Sequence, residues 1–406
     1  MKIIFTFGGL PHYYNYVLNR LNRLPDTEVK VIIPDTKSHT LGKGVHESLD
    51  HIEFGIIRLK EKKSWYGKLY FHEFRKAIEK EKPDILVTIW PYILGFILIP
   101  SWRRARIKMK FKLIYKDIPF NIPRYENALE YYRNQINTEN NLPVNPVWGI
   151  RQIVYYSILR QIFRKFLCMA DAHVYYTEEA FEIIPSYGVD KSRIFITYNS
   201  PDTDRLFECR SELERNPESI KNQPDVILHI GRLVAWKKVD LLIQAFSNVL
   251  QRYPQSELWI IGDGPESDNL KNLAHESGVS GQVRFIGAVY EPLELGRYMM
   301  KAGIYVLAGM GGLSINEAMV YGKPVICSRA DGTEKKLVKN GINGYFFREN
   351  DKDDLAAKIC ELLDNPEKLE LFGKNSTAII KNEINIGTVI SGYRNAFNFV
   401  MKPDTR

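Results

Sequence analysis

Residues 309–328 read Gly-Met-Gly-Gly-Leu-Ser-Ile-Asn-Glu-Ala-Met-Val-Tyr-Gly-Lys-Pro-Val-Ile-Cys-Ser, and this stretch decides the fold. A glycine-rich turn, a short helix from near Leu313 and an apolar strand after Lys323 follow one another, as in a βαβ unit. Glycines at 309, 311 and 312 let the backbone come close to a ligand with no Cβ in the way. A helix beginning there aims free N–H groups and its positive dipole end at the same spot. Glu317 lies one turn in, where its carboxylate can accept hydrogen bonds from hydroxyls. An anionic, hydroxyl-bearing ligand such as a nucleotide sugar suits that arrangement. The plainer reading is a turn that needs glycine only for packing.

Outward from this stretch, apolar β-rich runs alternate with helical patterns along the whole chain. Lys2–Phe7, Val29–Pro34, Ile85–Trp90, Leu113–Asp117, His173–Thr177 and Ile194–Asn199 read as strands, with helices at Tyr13–Leu24, Tyr66–Lys80 and Val147–Ala170. The scheme repeats with strands at Val226–Gly231, Leu258–Gly262, Val283–Gly287, Ile304–Leu307 and Pro324–Ser328, and helices at Asp240–Gln251, Glu266–His275 and Glu317–Tyr321. Such alternation predicts an α/β chain of two doubly wound, parallel-sheet, Rossmann-like domains, with ligands at the carboxyl ends of strands facing a cleft. The expected division is 1–207 for the first domain, a polar linker at 208–225 carrying Pro217 and Pro224, and 226–383 for the second. An amphipathic helix within 384–406 follows.

At 406 residues, two cores are the natural expectation. The composition, 45% hydrophobic and 26% charged, is that of a globular protein. Cys168, Cys209, Cys327 and Cys360 lack metal-ligand or disulfide spacing, which fits a reducing cytoplasm. The opening apolar run is too short for a signal peptide. Of the net charge of +8, residues 1–200 hold 30 Lys/Arg against 20 Asp/Glu, giving +10, and the remainder, 26 against 28, gives −2. An anionic partner for the first half is implied.

The same half concentrates this charge. Between Ile85 and Lys116 there is no acidic residue, while Arg103, Arg104, Arg106, Lys108, Lys110, Lys112 and Lys116 follow the apolar, aromatic run 90–102. Pro91 and Pro100 argue against a spanning helix, so peripheral attachment to anionic lipid is the expectation. Val147–Leu167, with Arg151, Arg160, Arg164 and Lys165 among Trp148, Tyr155, Tyr156 and Phe163, is a second candidate. A buried helix with a solvated basic rim is the alternative for both. Nucleic acid fits less well, since the aromatics sit in apolar runs and no recognition motif occurs.

The segment Gly312-Leu-Ser-Ile-Asn-Glu-Ala-Met-Val-Tyr-Gly-Lys-Pro-Val-Ile326 resembles the signature of glycosyltransferase family 4, retaining enzymes of the GT-B fold. Further motifs resemble that family in order. They are Phe7-Gly8-Gly9-Leu10, Tyr198-Asn-Ser-Pro-Asp202, Gly231-Arg232-Leu233 with Lys237 and Asp240, Gly262-Asp-Gly264-Pro265, Phe285-Ile-Gly-Ala288-Val289, Gly332-Thr-Glu334 and Asn340-Gly-Ile-Asn-Gly344. The resemblance implies sugar transfer from a nucleotide sugar, a UDP- or GDP-sugar above all, with retained anomeric configuration and without a metal or other cofactor. Arg232 and Lys237 would hold the donor diphosphate, beside the backbone of Gly311, Gly312, Leu313 and Ser314. Glu317 would meet the ribose, Gly264 would shape the floor, Ala288 and Val289 would read the base, and Gly8 and Gly9 would cradle a phosphate or sugar. Where the family carries the first Glu of its Glu-x7-Glu pattern, this chain has Gly309.

Acceptor chemistry is expected from the first half, at His12 and Asp117. A helix-start hydrogen bonder and a turn-forming Asp are the plainer readings of those two. The acceptor implied is a saccharide, lipid-diphosphate-linked, at the inner face of the plasma membrane, in surface-polysaccharide synthesis. Two other readings stay open: a non-catalytic nucleotide-sugar-binding partner of another transferase, and an epimerase or hydrolase on the same fold.

Overall fold

The computed structural model describes residues 1–36, 49, 51–64, 67–119, 122–132, 150–215, 223–329 and 332–402. The chain packs as two compact units, Met1–Tyr198 with Val389–Arg406, and Asn199–Thr388.

The first unit is built on β1 (Lys2–Thr6), β2 (Glu28–Pro34), β3 (Gly55–Leu59), β4 (Glu61–Lys63), β5 (Leu69–Phe71), β6 (Ile85–Thr88), β7 (Lys112–Asp117), β8 (Ala172–Tyr175) and β9 (Ile194–Ile196). Seven of these form a sheet in the order β3-β2-β1-β6-β7-β8-β9, with every pair parallel, and β4 and β5 make a separate antiparallel hairpin. The central strands are apolar throughout because helices cover both faces. Ile3, Ile4, Phe5, Leu86, Leu113 and Ile114 have no measurable exposure.

The second unit carries β10 (Gln223–Ile230), β11 (Glu257–Ile261), β12 (Val283–Gly287), β13 (Ala302–Leu307), β14 (Val325–Cys327) and β15 (Gly344–Phe346) in the order β12-β11-β10-β13-β14-β15, all parallel. From β10 the chain winds first to one side and then to the other, so the carboxyl ends of β10 and β13 flank a topological switch point. The helix Val239–Leu250 buries Val239, Leu242, Ile243, Phe246 and Val249, a helical period facing the sheet. Asp351 caps the helix Lys352–Leu363 by accepting from the N–H groups of Asp353 and Asp354, and Asn365 caps Pro366–Asn382.

Three expectations are corrected. The linker 208–225 is largely folded: Thr203–Glu214 is a helix burying Leu206, Cys209 and Leu213, and β10 starts at Gln223. Its charged sequence hid a three-residue apolar stripe; residues 216–222 of the expected linker lie outside the described residues. The first unit accordingly ends at Tyr198, not at residue 207. Of the helix expected over Tyr66–Lys80, only Phe74–Glu81 forms, because β5 pairs with β4 and Phe71 stacks on Tyr92 with ring centroids 4.3 Å apart. Residue 66 lies outside the described residues.

The third correction concerns the run 90–102, which is largely core rather than a lipid-facing helix, with Trp90 and Leu98 left 37% and 38% exposed. Tyr92, Ile93, Phe96 and Trp102 are at most 4% exposed, and Trp102 stacks on Phe74 at 4.0 Å. The second candidate, the helix Ile150–Met169, instead leaves Ile153, Val154, Tyr155 and Ile158 between 44% and 57% exposed. Residues 147–149, Trp148 included, lie outside the described residues. Among the described residues no helix is long and apolar enough to cross a membrane. The terminal helix is Ile386–Met401; Tyr393 meets the hydroxyl of Tyr14, and Phe397 packs edge-on against Phe5.

Candidate functional site

The carboxyl ends of β10 and β13 bring together the motifs that the sequence separates by 70 residues or more. Beyond β10, Gly231 donates to the Ile261 carbonyl (3.0 Å) and Leu233 to that of Asp263 (2.9 Å), so the 231–237 loop is strapped to the end of β11. Gly262 and Gly264 have positive φ, 146° and 159°, and a Cβ on them would stand 1.8 Å from Gly231 O and 2.3 Å from Leu233 O. Their role is this close approach of two backbones.

Lys237 turns inward. Its Nζ donates to the carbonyls of Met310 (2.8 Å) and Gly311 (2.6 Å), and only 8% of the residue is exposed. The ammonium thereby occupies carbonyls of the glycine loop, holding Gly311 and Gly312 in place rather than standing clear in solvent. Arg232 lies over the exposed Trp236 ring at 5.6 Å, a cation–π contact that aims its guanidinium.

The helix following the loop is Ser314–Val320. The Tyr305 hydroxyl, at the end of β13, donates to Ser314 Oγ (2.6 Å) and lies 3.3 Å from Ile230 O, pinning the helix start to both strands. Ser314 is thus a structural anchor through its side chain, leaving its backbone for the ligand role expected of it. Glu317 is half-buried, and among the described residues no donor meets its carboxylate. Burial without a partner pushes its pKa up to about 7.

The model of the family described as glycosyl transferases group 1 matches residues 210–378. Residues 210–378 thus resemble a group 1 glycosyl transferase domain. Among curated relatives, it is 30% identical over 214 residues to D-inositol 3-phosphate glycosyltransferase 2 of Catenulispora acidiphila, covering 49% of each chain. It is 29% identical over 200 residues to alpha-monoglucosyldiacylglycerol synthase of Acholeplasma laidlawii, covering 48% of this chain and 47% of that one. The chain spans about half the length of these relatives. Among solved structures, HepE of Anabaena, crystallised in complex with UDP, superposes with a TM-score of 0.68 at 17% identity over 98% of this chain and 100% of that one. The fold is GT-B.

Within the matched segment, Ala288 and Val289 follow β12, two strands from β10, with Ala288 exposed and Val289 half-buried. Gly332-Thr-Glu334 and Asn340–Gly344 are structural. Glu334 is buried and accepts from Gly332 N (3.2 Å), while Asn343 is buried and bonded to Leu337 O and Lys339 N. The Asn199–Asp202 motif divides likewise. Asp202 caps the helix Thr203–Glu214, and the Asn199 carbonyl accepts from Asn316 Nδ2 (3.3 Å).

Two residues at the site carried no sequence signal. Tyr305 is hidden in an apolar strand, and Asn316, fully buried beside Glu317, has an Oδ1 without a hydrogen bond among the described residues. Only a buried polar residue one position before Glu317 could have hinted at the second. Among the described residues, no group of three or more His, Cys, Asp and Glu side chains is placed to hold a metal ion.

In the first unit, Gly8 and Gly9 follow β1, with Gly9 at φ 149°, and His12 opens the helix His12–Asn22 with its ring edge-on to Tyr13 at 5.6 Å. Asp117 closes β7. Its carboxylate accepts from Ile118 N (2.7 Å) and from the Tyr115 hydroxyl, and burial raises its pKa against these bonds. Lys116 lies over the Tyr14 ring at 5.1 Å, its pKa lowered to about 8 by burial.

Proposed function

We propose that this protein is a retaining glycosyltransferase that moves a sugar from a nucleotide-sugar donor to a saccharide acceptor, lipid-linked, in glycan or glycolipid synthesis. The observation that carries the reading is the pairing of a cation-braced glycine loop with an unpartnered carboxylate, Glu317, one helical turn beyond it. In this reading the backbone N–H groups of Gly311 to Ser314 and the Arg232 guanidinium stabilise the charge gained by the departing diphosphate. Lys237 sets the loop, and Glu317 accepts from ribose hydroxyls.

The bond between the anomeric carbon and the leaving phosphate oxygen breaks as the acceptor oxygen bonds to that carbon on the same face. The acceptor's proton passes to the phosphate. No protein nucleophile is needed, which suits Gly309, and no metal or other cofactor takes part. Asp117, His12 and Lys116 are the groups we assign to acceptor binding. HepE's complex with UDP supports a uridine nucleotide as the first donor to test.

Peripheral attachment to the inner face of the plasma membrane is part of the proposal. It rests on the exposed Ile153, Val154 and Ile158 beside Arg151 and Lys165, on a helix without acidic residues.

Mass-spectrometric detection of nucleotide release from a panel of UDP-, GDP-, ADP-, CMP- and dTDP-sugars, with and without membrane lipid extract, tests the reading beside Arg232→Ala. Release from one donor, raised by lipid and lost in the variant, is the expected result. Tight binding of a nucleotide without release would favour a second reading, a non-catalytic nucleotide-sugar-binding partner, for which the lack of a carboxylate at Gly309 speaks.

A further inference from the structure

A cavity of about 740 Å³ opens in the second unit at the amino ends of β10 and β13, the opposite pole of the sheet from Arg232 and Glu317. One wall is apolar, made by Leu362, Leu363, Pro366 and Leu369. Lys323 and Arg210 also line the cavity.

Lys323 is 8% exposed and donates to the carbonyls of Ala302 (2.7 Å) and Met300 (3.2 Å), and among the described residues no carboxylate pairs with it. Burial and then the positive charge of Arg210 lower its pKa to about 7. Of the acidic residues lining the cavity, Glu370 is paired with Lys374 at 2.6 Å. Asp225, at the start of β10, also lines the cavity, and among the described residues it forms no ion pair with Lys323. Arg210 is already paired with Glu214 at 2.7 Å, so Lys323 is the lining cation without a carboxylate partner among the described residues, beside apolar side chains in a volume typical of small-molecule sites.

We infer that this cavity is a second ligand site, taking an amphipathic oxyanion: a carboxylate or phosphate head against Lys323 and Arg210, and an apolar body against the leucine wall. The head supplies the counter-charge that Lys323 lacks, and the body covers the partly exposed Leu363 and Leu369. Arg210 also bonds the Val320 carbonyl (2.7 Å), the last of the helix that bears Glu317, and Thr377 Oγ1 (3.1 Å). The site therefore touches the far end of the helix that makes the nucleotide site, and Arg210 itself is a poor choice for mutation.

The test is calorimetric titration of the full chain with decanoate and with decyl phosphate, each below its micelle concentration. Decanol, decylammonium and inorganic phosphate serve as head- and tail-only controls. One site is expected, binding at least one of the two anions about tenfold or more tighter than every control, with that margin lost in Lys323→Met. Comparison of the two anions tells carboxylate from phosphate. Equal binding of decanol or decylammonium, no binding of either anion, or an unchanged margin in a folded Lys323→Met would overturn the inference. Should that variant not fold, the head-group comparison on the wild-type chain decides alone. No nucleotide is needed, so failure here is separate from failure of the transferase reading.

Discussion

A Cβ placed on Gly309 would stand 2.2 Å from the carbonyl oxygen of Trp236. The Lys237 carbonyl carbon would be 2.5 Å away, and Met310 N already donates to that same Trp236 oxygen at 2.9 Å. Glycine is present because the 236–237 backbone fills the space a side chain would enter. Restoring a glutamate there cannot simply restore a family contact. Gly309→Ala should cost about 1–3 kcal/mol through overpacking, with Gly309→Glu costing more. Thermal melting measures this; an unshifted midpoint for Gly309→Ala would show that the two backbones are not in contact.

Lys237 offers a sharper case. If its ammonium braces the loop through Met310 and Gly311, Lys237→Met should destabilise the ligand-free protein by about 1.5–3 kcal/mol, the usual range for hydrogen bonds to a charged group. Turnover should fall by about 10² to 10³, as when one stabilising donor is removed. A lysine that met only the donor diphosphate would lower turnover and leave ligand-free melting unchanged, so the melting curve separates the two roles.

Glu317 predicts a pH dependence. Its carboxyl is raised from the ordinary 4.5 to about 7, so between those values the folded state holds more proton than the unfolded one. Stability should therefore fall as pH rises through this window, and Glu317→Gln should flatten that decline. Binding runs the other way, because ribose hydroxyls need the ionised carboxylate as acceptor. UDP affinity should rise between pH 6 and pH 8 in the wild type, and the rise should be smaller in Glu317→Gln, where the terminal phosphate of UDP still titrates. Melting and titration calorimetry across that range check both signs.

The exposed face of Ile150–Met169 gives a fourth expectation. Ile153→Asp with Ile158→Asp should weaken binding to phosphatidylserine-containing vesicles by about tenfold or more, while moving stability by no more than about 0.5 kcal/mol. Sedimentation with anionic and neutral vesicles at two salt concentrations checks this. Equal binding of the double variant would move the membrane face elsewhere.

The parallel α/β scheme was legible because buried strands are short apolar runs and their covering helices carry a period of their own. β3 and β15 went unread: Gly55–Leu59 and Gly344–Phe346 are edge strands, too short or too mixed to stand out. The helix Thr203–Glu214 was mistaken for a linker because its buried stripe is only Leu206, Cys209 and Leu213 among charged residues. At the site, Arg232, Lys237 and Glu317 could be named from their motifs. Tyr305 and Asn316 could not, since a polar side chain inside an apolar run shows its use only through its partner.

The sequence by itself determined the two sheets, the glycine turns at strand ends and the residue types gathered there. These are local properties, written in periodicity and in the positions where a Cβ is absent. Only the tertiary structure decided what those residues touch. It turned Lys237 onto the carbonyls of residues 310 and 311, filled the place beside Gly309 with the backbone of Trp236, and left Glu317 half-buried without a donor among the described residues. It also buried most of the aromatic run 90–102 and exposed one face of the helix 150–169. Each outcome depends on segments far apart in the chain, whose approach is set by packing and desolvation rather than by neighbours in sequence.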